Sequence, residues 1–404
     1  MIRVKYWLWL TMVFGVGNNR LWDIMRYFDD PISAYEELCT GEFDSVLKEK
    51  EIENIHTTSL EKCTAIIDIC TSKGYGITGY SSREYPQYLR HIYNPPAVLF
   101  YQGDIDILNR KPSVTMVGTR KASPQSIATA ERLSAELAKR GFIIASGFAV
   151  GIDIASHLAT ANHGLPTVCV LGCGLDINYP KDNFMYRDTI LKNNGVFITE
   201  YFPGTSPLPQ NFPKRNRILS GISRAVIVIE AGEQSGALIT AELALEQGRE
   251  VFCLPPANIY DERYFGNIKF LREGAYSVYG AEDITCYFNI FNEQISLAET
   301  EICEEISQND KTNENSEIIE EYHYEDSIDI QENENRVNDV EDTDVSGFSE
   351  QQKAIIRLLM GGKLHSDIIA DKLGIDISEL MMELTDLELD GVILSFPGKI
   401  YGLK

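Results

Sequence analysis

The sequence predicts an α/β fold, a Rossmann-like, doubly wound and mainly parallel sheet, preceded by a small helical domain and followed by a winged-helix domain. Three observations carry this. Four apolar runs in the middle third, SVTMVG, FIIASG, TVCVLGCG and AVIVIEAGEQSG, each end in glycine where a helix-like segment begins. Apolar runs without alternation are buried parallel strands, and strands that alternate with helical spacing make a doubly wound sheet. At 404 residues, 44% of them hydrophobic, the chain is long enough for two or three domains.

In chain order, residues 1–80 form the helical domain, with Trp7, Leu8, Leu10, Leu21, Ile24 and Met25 on inward faces. The opening MIRVKYWLWLTMVFGVG is a core helix rather than a leader, because its apolar run is short, is broken by Thr11 and lacks a small-residue cleavage pattern. The break GVGNNR has two readings. Gly15, Gly17 and Arg20 suit a helix–hairpin–helix turn that holds a DNA backbone; a glycine C-cap between packed helices explains the same residues.

Residues 81–285 form the sheet domain. Pro95-Pro96 brakes the chain before an edge strand, Ala97 to Tyr101, and Ser113 to Val117 is the first central strand. Ser123 and Pro124 then start a helix that runs to Arg140 and stops at Gly141. Strands follow at Phe142–Ser146, Thr167–Leu171, Val196–Thr199, Ala225–Ile229 and Val251–Leu254, with helices from Ile152 to about His163 and from Ala237 to Gln247.

Residues 286–347 are rich in Glu, Asp and Asn and read as an acidic, disordered tether. Residues 348–404 supply three helices and a two-stranded wing with Pro397 and Gly398 at its tip. The would-be recognition helix carries Asp376, Glu379, Glu383, Asp386, Glu388 and Asp390, which repel a phosphate backbone and favour a protein contact.

The net charge of −24 argues against nucleic acid until it is divided. The tether holds 2 basic and 19 acidic residues, a net −17, whereas residues 113–285 hold 16 and 17. Local cations can therefore set the field of the central domain. The eight cysteines show no paired knuckles and read as buried thiols. No run approaches the roughly eighteen apolar residues of a membrane span, so the expected setting is the cytoplasm with reduced thiols.

The turns at the strand ends indicate chemistry. A dinucleotide enzyme wants G-x-G-x-x-G and a carboxylate about twenty residues on, and an ATPase wants a P-loop; neither appears. What remains is cationic. Gly118 and Thr119 precede Arg120, whose fork can take a phosphate, with Lys121 as a second charge. Gly147 and Gly151 permit close backbone approach, and Ser235-Gly236 at a helix start can cradle an anion with Thr240 one turn inside, or serve as an ordinary cap. FPKRNR sets Lys214, Arg215 and Arg217 around Asn216 beside Phe212: cations for phosphates, an aromatic face for a base, an amide for base edges. Several phosphate-capable turns along one edge suit a polyanion. Asp153 and His157, four apart on one helical face, read as a structural hydrogen bond. They leave open a nucleotide or nucleotide-sugar hydrolase using them with Glu230 and Glu200.

VGTR, SGFAVGID, FPKRNRILSG and EAGEQSGALITA, in that order and spacing between about Tyr85 and Ile284, resemble the DNA-processing protein A (DprA/Smf) family. The resemblance implies a non-enzymatic, sequence-independent binder of single-stranded DNA. It implies protection of incoming strands, help in loading the RecA recombinase during natural transformation, and action as a homodimer, without cofactor or metal. It carries Gly118, Arg120, Lys121, Gly147, Lys214, Arg215, Asn216, Arg217, Ser235 and Gly236 over as the DNA pocket. The chain departs from the pattern at Pro255-Pro256, where the family has proline–glycine, and at Ile268, where it has asparagine; both bear on the loop after Leu254 and on Lys269.

Overall fold

The structure, a computed structural model, describes residues 2–288 and 348–403 except 361, 363, 376, 390 and 397–399. The tether from 289 on, Cys303 and the Pro397-Gly398 tip lie outside the described residues. The chain divides into two compact units, with the break after Thr285.

In the first unit, α1 (Ile2–Phe14) carries charge only at Arg3 and Lys5 near its start, and Trp7, Leu8, Trp9 and Leu10 beyond them are all buried. A helix segment that is apolar all round belongs inside a core, and α2 (Asn19–Met25), α3 (Pro31–Leu38), α4 (Glu49–Thr57) and α5 (Leu60–Ser72) pack around it. Gly15, at φ +89° and donating to Thr11 O at 2.9 Å, terminates α1 as a C-cap. The Arg20 side chain is engaged by Glu51 at 3.2 Å.

The nine-stranded sheet contains β1 (Gly76–Gly79), β2 (Val98–Gln102), β3 (Ser113–Val117), β4 (Ile143–Ser146), β5 (Thr167–Val170), β6 (Val196–Thr199), β7 (Ala225–Val228), β8 (Glu250–Cys253) and β9 (Tyr276–Ser277). Their order is β1-β2-β6-β5-β4-β3-β7-β8-β9, parallel from β6 to β9 and antiparallel at β1 and β2. The expected edge strand at 97–101 is therefore covered, because β1 pairs outside it. Gly76 makes this pairing possible: a Cβ there would stand 2.1 Å from the Tyr101 ring. Short helices α6 (Gln87–Arg90) and α7 (Ile107–Arg110) lie between β1 and β3. The crossovers of the sheet are α8 (Pro124–Lys139), α9 (Ile152–Ala161), α10 (Arg187–Lys192), α11 (Asn211–Gly221), α12 (Gly236–Glu246) and α13 (Phe265–Arg272).

Local sequence sets these bounds. Ser123 Oγ accepts from Ser126 N at 3.2 Å, Pro124 occupies the first turn of α8, and Gly141, at φ +92°, follows its end. Beyond the end of β8, Asn267, fully buried, offers its amide to Val228 O, Ile229 O and Leu254 O and accepts from Ala231 N at 2.9 Å. It ties the carboxyl ends of two strands together.

The second unit has helices Glu350–Met360, Ser366–Leu373 and Ile377–Leu389 around a core that includes Ile355, Leu384 and Ile393. Its sheet has three strands rather than two: β10 (Leu364–His365) pairs with β12 (Ile400–Leu403), which also pairs with β11 (Ile393–Phe396). Glu379, Asp386 and Glu388 are exposed on the third helix.

Candidate nucleic-acid interface

The order of the sheet reverses between β3 and β7: β4, β5 and β6 lie to one side of β3, and β7, β8 and β9 to the other. Loops at the carboxyl ends of neighbouring strands diverge at such a point and leave a crevice. Here it is a cavity of about 650 Å³ lined by residues 117–121 after β3, Ala149 and Asp153 after β4, Phe212, Arg215 and Asn216 on α11, and Ser235 to Thr240 after β7.

The loop after β3 is clamped at both ends by Glu230. Thr119 N donates to Glu230 O at 2.7 Å, and Ser123 donates to the Glu230 carboxylate from its amide at 3.0 Å and its hydroxyl at 2.5 Å. Two glycines let it approach its neighbours. A Cβ at Gly118 would stand 2.5 Å from Ile152, and one at Gly151, whose φ is +88°, would stand 2.4 Å from Thr119 O. Between the clamps Arg120 and Lys121 are exposed. Glu230 is thus a fixed structural acceptor, buried to 1% exposure, and not a free catalytic carboxylate.

The facing wall is the first turns of α11. Phe212 has the Arg120 guanidinium 5.7 Å and the Arg215 guanidinium 6.0 Å from its ring centre, with the Tyr179 ring at 5.4 Å. Arg215 is buried; its Nη1 donates to Gly147 O at 2.9 Å and to Val170 O, and its Nε to Asn216 Oδ1 at 3.3 Å. Burial pulls the Arg215 pKa down, Asp153 opposes that pull, and Arg120 adds to it. The Asp153 carboxylate accepts from Gly147 N at 3.1 Å and Ala149 N at 3.3 Å, and burial raises its pKa against the pull of Arg215. Gly147 gives these two charges room: a Cβ would stand 2.6 Å from Arg215 Nη2 and 2.7 Å from Asp153 Oδ2. Its own amide is taken by Asp153, so it serves as a spacer. The lining holds three cations, Arg120, Lys121 and Arg215, against one carboxylate, Asp153. A phosphate about 4 Å from one such cation gains roughly 4 kcal/mol at an effective dielectric near 20.

On the third side Ser235 Oγ accepts from Ala237 N at 3.3 Å, which makes it the N-cap of α12. The amides of the first turn and the positive end of the helix then face the cavity, Gly236 has open space around its Cβ position, and Thr240 lies one turn in.

Two predicted cations stand elsewhere. Lys214 is exposed outside the lining, and Arg217 turns to the opposite side of α11, where Nη2 meets the Glu200 oxygens at 2.7 and 2.8 Å. FPKRNR is helical, so its cations fan around the helix rather than cluster. Lys269 pairs with Glu242 at 3.7 Å. Among the described residues no hydrogen bond joins Asp153 to His157: His157 Nδ1 meets Thr167 Oγ1 at 2.7 Å, its Nε2 is enclosed without a partner, and burial lowers its pKa to about 3. Sequence reasoning missed Tyr179, five residues past Gly174, and the clamping role of Glu230, whose partner Ser123 is 107 residues away. No group of three or more His, Cys, Asp or Glu among the described residues could hold a metal ion, and no helix among them is long and apolar enough to cross a membrane.

The family model described as DNA recombination-mediator protein A matches residues 76–289, and the DprA winged helix domain matches 342–399. The chain is 39% identical over 223 residues to the DNA processing protein DprA of Bacillus subtilis, covering 55% of this chain and 74% of that one. It is 42% identical over 204 residues to DNA processing protein DprA of Streptococcus pneumoniae, covering 50% and 71%. The X-ray structure of DNA processing protein A from Streptococcus pneumoniae superposes with a TM-score of 0.52 at 35% identity, over 62% of this chain and 92% of that one. With a family match over more than half its length, on the sheet that builds the cavity, the chain belongs to the DNA recombination-mediator protein A (DprA/Smf) family of DNA-processing proteins.

Proposed function

We propose that the cavity binds single-stranded DNA without sequence preference and that the protein acts by binding rather than by catalysis. The observation that carries this is the juxtaposition of the exposed cations of the 119–121 loop with the N-terminus of α12, and of Phe212 with two guanidiniums within 6.0 Å of its ring centre. Successive phosphates can take the loop's cations and the start of α12 while a base lies against the ring, and a duplex presents no unstacked base to it. Asp153, Glu230 and the Nδ1 of His157 are engaged in structural hydrogen bonds, which supports binding over a hydrolase built on those three residues.

Family membership extends the proposal to protecting incoming strands in the cytoplasm and delivering them to a RecA recombinase during transformation. It also extends it to action as a homodimer, in which two pockets act at high effective concentration. Binding of a fluorescent thymidine 20-mer, single-stranded and paired with its complement, tests the core of it. The single strand binds more tightly, and Arg120→Glu weakens it tenfold or more. Equal affinity for the duplex, or an indifferent Arg120→Glu, overturns the assignment.

A further inference from the structure

Helix α11 has two working faces. Residues two apart on a helix point about 200° from each other, so while Arg215 lines the cavity, Arg217 faces the N-terminal helices. There it meets Glu200, which follows β6, and both side chains are buried, at 11% and 5% exposure. Arg217 Nε and Nη1 have no hydrogen-bond partner, so Glu200 is the group that holds the guanidinium by hydrogen bonds. The lid over the pair is the turn between α1 and α2. A Cβ at Gly17 would stand 3.6 Å from Glu200 Oε2 and 3.7 Å from Arg217 Nη2, and Gly17, at φ +65°, presents its carbonyl to Asn94 Nδ2 at 3.1 Å. Trp22 on α2 donates to Pro95 O at 2.8 Å and fastens the same corner.

We propose that the Glu200–Arg217 pair is a positioning device through which the N-terminal helices fix the rotation of α11, and with it the placement of Phe212 and Arg215 in the cavity. The inference rests on the single-strand reading above. Glycine-turn and arginine, each of which reads from sequence as a DNA contact, lie beside each other instead and act on the strand at one remove. A buried guanidinium that loses its carboxylate cannot stay where it is, and a turn of α11 toward solvent on that side rotates the cavity face by the same angle.

A salt titration separates positioning from contact. Each phosphate contact contributes about −0.7 to the slope of log K against log salt for a single strand. With oligo-dT and the full chain, Arg120→Ala lowers both affinity and slope. Glu200→Gln and Arg217→Gln lower affinity about tenfold and leave the slope unchanged. A slope lowered by about 0.7 in Arg217→Gln shows direct contact and overturns the proposal, as does affinity within twofold of the unaltered chain in both variants. Should the variants fail to fold, hydrogen exchange on the unaltered chain decides. Coupling is reciprocal, so oligo-dT slows exchange at residues 15–18, and unchanged exchange there overturns the device. Absence of salt-dependent binding by the unaltered chain removes the single-strand reading itself.

Discussion

Gly151→Ala changes no charge and touches no lining side chain, yet it should weaken DNA binding. The added Cβ would stand 2.4 Å from Thr119 O and 2.9 Å from the Arg120 backbone, where ordinary contact begins near 3.4 Å. Relief requires the 119–120 peptide to move about 1 Å, or residue 151 to leave φ +88°, and a side chain at that φ costs about 1–3 kcal/mol. The loop cannot yield freely, because Glu230 grips it at Thr119 N and Ser123. Arg120 is therefore displaced relative to Phe212, and we expect oligo-dT affinity to fall about tenfold, roughly 1.4 kcal/mol, with a urea midpoint lowered in parallel. Fluorescence anisotropy at fixed salt reads the first and circular dichroism the second. A folded Gly151→Ala protein that binds within twofold of the unaltered chain would refute the idea that a rigid loop presents the arginine.

Two further outcomes concern stability. His157 titrates near 3 when folded, against 6.5 when exposed, because burial opposes its charge. Its contribution is complete above pH 6.5 and is lost as pH falls toward 3, amounting to about 2 kcal/mol by pH 5. Asp153, raised by burial, works in the opposite direction over the acid range, so the diagnostic quantity is the difference between the unaltered chain and His157→Gln, whose stability should fall less between pH 7 and pH 5. Asn267→Leu strips the ends of β7 and β8 of a shared donor and leaves the Ala231 amide unpaired; unfolding in urea should show a loss of about 3 kcal/mol, and a loss under 1 kcal/mol would contradict the role given to that amide.

The central strands were legible because parallel strands buried on both faces must be apolar runs, and 113–117 and 196–199 fall where those runs lie. β1 was not, since GITG carries two glycines and only its pairing with 98–101 makes it a strand. The cavity was legible as glycines at strand ends followed by cations. The split of FPKRNR was not: Arg215 and Arg217 look alike until the segment is known to be helical. Glu230 misled for a related reason. A carboxylate at the end of a buried strand suits catalysis and loop clamping equally well, and only the distant Ser123 decides between them.

The account stands most directly on where a strand lies, and a crystal structure of the full chain with hexathymidylate measures it. The account predicts consecutive phosphates within hydrogen-bond distance of the 119–121 loop and the first turn of α12, with a thymine against Phe212. A strand lying along another face, or one that leaves Arg120 and Arg215 untouched, would contradict it.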